Sequence, residues 1–93
     1  MPKNKEKRSA RRFSTHCTVE LEEGAGVTRD LSTAGFCFTT DKEIPINSML
    51  RCVILMPKKK EQIIRLRCEG QVVRVTETEN GWDIGVSFTS FQW

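Results

Sequence analysis

Apolar residues in this chain recur at every second position in short runs, and no stretch keeps the three-and-four spacing of a helix. Phe13, Thr15, Cys17, Val19 and Leu21 alternate with Ser14, His16, Thr18 and Glu20, the pattern of a half-buried strand. Glu22 to Gly26 reads as a turn, and Val27 to Asp30 resumes extended structure. Gly35 to Thr40 is rich in aromatic and β-branched residues and predicts another strand. Asp41 to Ser48, with Pro45 and Asn47, reads as a loop. Met49 to Met56 is a long apolar strand stopped by Pro57, and the lysines 58–60 after it fit an exposed hairpin loop. Residues 62–75 continue the sheet, and Gly70 within them predicts a bulge or sharp bend. Asn80-Gly81 predicts a two-residue hairpin turn before the alternation of Trp82, Ile84, Val86 and Phe88. Five to six short strands joined in this way predict an all-β chain folded as a closed or nearly closed antiparallel barrel.

At 93 residues the chain forms one domain, near the low end of what buries its own core. No apolar run approaches the roughly twenty residues that span a bilayer, and the basic N-terminus lacks the apolar stretch of a secretory signal. The expected location is cytoplasmic. Cysteines 17, 37, 52 and 68 occur singly, without the close pairing of a structural zinc site, so reduced and mostly buried thiols are expected, with no metal. His16 and Cys17 are adjacent on a strand and point to opposite faces, so they cannot form a nucleophile–base pair, and no enzyme is expected. Trp82 is expected in the core or at its rim.

Charge is unevenly spread. Lys3, Lys5, Lys7, Arg8, Arg11 and Arg12 stand against Glu6 alone in the first twelve residues, which carry +5 of a net +3. The rest of the chain is therefore slightly acidic. This predicts a flexible basic arm over residues 1–11 and a barrel over 12–93, with a localised anion site rather than a broad nucleic-acid surface. Two polar clusters flank the first strand-like segment. Arg8 and Arg12 stand in an Arg-x-x-x-Arg spacing, and Asp30, Ser32 and Gly35 in an Asp-x-Ser-x-x-Gly spacing. Arginine forks suit phosphate oxygens and the guanine O6/N7 edge, and the guanidinium face stacks on a base. Aspartate accepts from the guanine N1 and N2 hydrogens. Serine adds a hydroxyl or shapes the turn, and glycine permits close approach or a positive φ.

These two clusters, in order and on this strand pattern, resemble the two-part signature of PilZ domains, bacterial receptors for cyclic di-GMP. Val27 to Ser32, Gly70 to Val75 and Gly81 to Phe88 resemble the family's core strands, so the likeness runs from about residue 8 to residue 91. The resemblance implies a six-stranded antiparallel β-barrel; many members follow the last strand with a helix, and this chain departs from them by stopping at Phe91-Gln92-Trp93, so little or no C-terminal helix is expected. It also implies that Arg8 and Arg12 clamp phosphates and stack on guanines, while Asp30 and Ser32 read a guanine edge beside Gly35. Arg11 lies inside the spacing and can assist. No cofactor is implied. Ligand binding would order the arm and create a surface for a separate downstream protein partner. Phe91 and Trp93 at the end either close the barrel or form a patch for weak homodimerisation. The rival reading is a small basic-armed barrel binding RNA or single-stranded DNA, which leaves Asp30 and the acidic body without a purpose.

Overall fold

The computed structural model describes residues 12–13, 16–58 and 62–92. They form β1 (Arg12–Phe13), β2 (Thr18–Leu21), β3 (Gly24–Ser32), β4 (Gly35–Thr40), β5 (Met49–Pro57), β6 (Ile63–Thr78) and β7 (Gly81–Gln92), with no helix among the described residues. All pairings are antiparallel, in the circuit β3-β2-β5-β6-β7-β4, and β4 pairs back onto β3 to close it. β1 and β2 both pair with β3, β2 along its first half and β1 at its end, so the two share one position in the wall. The result is a six-stranded closed barrel. Closure pairs the edges that an open sheet would leave exposed.

Alternation places the core. Val19, Phe38, Ile54, Val72 and Ile84 come from five different strands and are fully buried. Burying each such side chain contributes about 1.5–3 kcal/mol. Thr28 is equally buried, and its hydroxyl is satisfied because Oγ1 accepts from the Cys17 amide at 2.7 Å. The Thr28 amide in turn donates to the Cys17 carbonyl at 2.8 Å, which extends the ladder beyond the end of β2. Cys17, Cys52 and Cys68 are buried and Cys37 is half-buried, all four as free thiols. Trp82 packs half-buried against the core, and His16 is exposed just outside β2. Phe36, Phe88 and Phe91 form a chain of ring contacts at 5.4 and 5.0 Å, so Phe91 is 41% exposed yet joined to the core. Trp93 lies outside the described residues.

One turn is tighter than the sequence predicts and another is shifted by one residue. Strand pairing reaches Leu21 opposite Gly24, leaving only Glu22-Glu23 in the turn, with Gly24 at φ 121°. Gly26 belongs to β3, where a Cβ would come within 2.6 Å of the Phe38 ring; its small size serves packing across the wall, not turning. Likewise Thr78 pairs with Gly81, so the last turn is Glu79-Asn80. Gly81 opens β7, where a Cβ would collide with the Thr40 carbonyl. The loop over residues 41–48 falls where expected. The Lys58 amide donates to the Gln62 carbonyl at 2.7 Å, and Lys59 and Lys60, expected in an exposed hairpin loop, lie outside the described residues.

Candidate functional site

Asp30 would point into the core if β3 were regular. Gly26 and Thr28 face inward, so the next inward position by strict alternation is residue 30. Instead, Thr28 pairs with Phe38 and Asp30 with Cys37, which leaves Arg29 as an extra residue in a β-bulge. Leu31 takes the inward place and Asp30 turns half-buried to the wall of a cleft. Arg29 points outward and crosses β4, donating through Nη2 to Asp83 Oδ2 at 2.8 Å. The bulge is thus tied to β7 by an ion pair.

The same device recurs on the opposite wall. Leu66, Cys68, Gly70 and Val72 of β6 face inward, so residue 74 would follow them into the core. Val72 pairs with Val86 and Arg74 with Gly85, making Val73 the extra residue, and Arg74 turns outward into the same cleft as Asp30. Gly85 gives it room: a Cβ there would lie 3.3 Å from the Arg74 Cβ and 3.5 Å from its Cζ. Arg74 Nη2 donates to Cys37 Sγ at 3.1 Å. No carboxylate is bonded to the Arg74 guanidinium among the described residues.

Between β3 and β4, Ser32 organises the turn. Its Oγ accepts from the Ala34 amide at 3.1 Å and the Gly35 amide at 3.3 Å, and lies 3.2 Å from the Gly35 carbonyl, to which it donates. Gly35 does not need a positive φ; a Cβ on it would collide with the Val86 carbonyl oxygen, so its absence lets β4 close onto β7. The backbone of Arg12 lies directly opposite Ser32 in the β1–β3 ladder. The second arginine of the first cluster and the serine of the second therefore stand side by side in the wall. Arg8 and Arg11 lie outside the described residues.

The cleft so built holds about 290 Å³, with Asp30, Ser32, Gly35 and Cys37 on one side and Val73 and Arg74 on the other. Sequence reasoning did not single out Arg74 or Cys37. A second cleft of about 580 Å³ opens elsewhere between β2, β5, β6 and the end of β7, with Arg51, Cys52, Cys68, Glu69 and Phe91 among its lining. No cluster of three or more metal-ligating side chains occurs among the described residues. No helix among them is long and apolar enough to cross a membrane.

The comparisons with known proteins give this closed six-stranded barrel a family. The PilZ domain model matches residues 2–92, and the chain belongs to the PilZ family, whose domains are non-catalytic receptors for cyclic di-GMP. No curated protein matches it. Among solved structures, the inhibitor of motility of Bacillus subtilis (MotI/DgrA) has a similar fold, with a TM-score of 0.80 at 16% identity. That likeness covers 94% of this chain and 44% of the other, so the chain spans less than half the length of that protein.

Proposed function

We propose that this chain binds cyclic di-GMP at the cleft between Asp30 and Arg74, with Arg8 and Arg12 brought over it from the N-terminal side. The observation that supports this most strongly is the pairing of Arg12 with Ser32, which joins the two family signatures in one ladder. Asp30 accepts from the guanine N–H groups, and the arginines take phosphates and the guanine O6/N7 edge. Arg11 assists from within the spacing. Ser32 acts through the turn it holds, setting the direction of Asp30, and Gly35 keeps that turn closed against β7. Arg74 adds a cationic far wall to a cleft that otherwise presents one carboxylate.

The ligand neutralises the basic arm, residues 1–11, and orders it against the barrel, creating a surface read by a separate protein. This is signalling by binding alone, and it suits a cytoplasmic protein. Calorimetric titration with cyclic di-GMP tests it, with GTP and single-stranded RNA as controls. Binding of the dinucleotide alone is expected, weakened tenfold to hundredfold by Asp30→Ala, about 1–3 kcal/mol, with the fold intact. Equal heats from the RNA would favour the nucleic-acid reading. No heat from the dinucleotide would end the proposal.

A further inference from the structure

Cys52 and Cys68 stand directly opposite one another in the β5–β6 ladder. Directly opposed residues of antiparallel strands have Cα atoms about 4.5 or 5.5 Å apart, depending on whether the pair exchanges backbone hydrogen bonds. Both spacings fall inside the roughly 4.4–6.8 Å window of a disulfide, so the ladder can hold one without moving either strand. Both side chains face inward, and the Cys68 thiol donates to the Leu66 carbonyl at 3.5 Å. Cys52 and Cys68 are 7% and 4% exposed, yet both line the 580 Å³ cleft, which a small oxidant can enter. Cys17 is in the core and Cys37 on the other cleft, and neither is opposed to a cysteine in its ladders.

We propose that Cys52 and Cys68 form a dithiol redox site, oxidised by peroxide to a disulfide across β5 and β6 and reset by a dithiol reductant. The reaction runs in two steps. One of the two, as thiolate, attacks one peroxide oxygen, the O–O bond breaks, and hydroxide leaves and takes up the proton that thiol had released, as water. The other thiol then attacks the sulfenic sulfur, an S–S bond forms, and the sulfenic hydroxyl departs with that thiol's proton as a second water. Two thiols are oxidised and one peroxide is reduced. The neighbouring Cys68 thiol, with burial, pushes the Cys52 thiol up, so the two titrate as a pair and either order of attack closes the same bond.

The test uses the full chain, reduced, desalted and treated with hydrogen peroxide without denaturant. The expected result is loss of two of the four thiols, loss of two hydrogens in intact mass, and reversal by dithiothreitol. Arg51 and Arg67 place tryptic cuts directly before both cysteines, so the linked peptides are short and unambiguous. Cys52→Ser and Cys68→Ser should each lose the cross-link, and in at least one of them the remaining thiol should be trapped by dimedone as a sulfenic acid. Oxygen addition without a cross-link, or a link through Cys17 or Cys37, overturns the proposal. Mapping of the unsubstituted chain decides this even where a variant fails to fold, and it does not depend on nucleotide binding.

Discussion

The larger cleft sets Arg51 and Glu69 on its rim, joined at 3.1 Å, and Glu20 at the same mouth faces Arg65 at 3.9 Å. The smaller cleft sets Asp30 against Arg74, on opposite walls, with the arginine resting on a glycine and a thiol. In the first, exposed acids and bases on β2, β5 and β6 pair and neutralise one another, as surface pairs commonly do at little gain in stability. In the second, two bulges have turned charged groups out of the core into one space. The difference teaches that volume is a poor guide in this barrel. The proposed nucleotide site is the cleft with half the space.

Several changes would break or sharpen that contrast. The largest effect is expected from Arg8→Ala combined with Arg12→Ala, which should weaken cyclic di-GMP by at least about a hundredfold, roughly 3 kcal/mol, in calorimetry. Gly35→Ala sets a methyl group against the Val86 carbonyl, so urea unfolding should show a loss of about 1–3 kcal/mol in stability, with binding falling as the turn opens. Arg74→Ala should weaken the dinucleotide roughly tenfold, about 1.4 kcal/mol, with thermal stability nearly unchanged because the side chain is exposed. An unchanged affinity would leave Arg74 as a wall of the cleft and no more. Arg51→Ala in the larger cleft and Lys59→Ala, between β5 and β6 in the sequence, should each change affinity less than about twofold, within roughly 0.5 kcal/mol.

The barrel was legible because alternation and turn residues are local properties. The strand over Gly35–Thr40, the loop over 41–48 and the stop after Met56 all lie where the pattern puts them. Gly70 also marks an irregularity as expected: the β6–β7 register shifts beside it, with Thr89 as the extra residue. The glycine-containing turns were misplaced by a residue or more because glycine has two uses. At Gly26 the need is for close approach of another strand, which only the tertiary structure supplies, and at Gly81 close approach to the Thr40 carbonyl adds to a φ of 155°. Asp30, Ser32 and Gly35 were legible as a cluster, but Arg74 was not. Its signal was present in Val72-Val73, two apolar residues in succession where alternation asks for one, and in Arg29-Asp30, two charges in succession on a half-buried strand. Such doublets mark bulges only once the partner strand is known.

The bulges at Arg29 and Val73 carry a consequence for reading relatives of this chain. Loops absorb an inserted or deleted codon with little harm, but the phase of a pleat does not. A homologue with every motif letter intact and one residue fewer before its aspartate would carry the same spelling facing the opposite way. Counting residues from the last inward side chain, as well as matching letters, therefore separates sequences that keep the receptor's orientation from those that keep only its vocabulary.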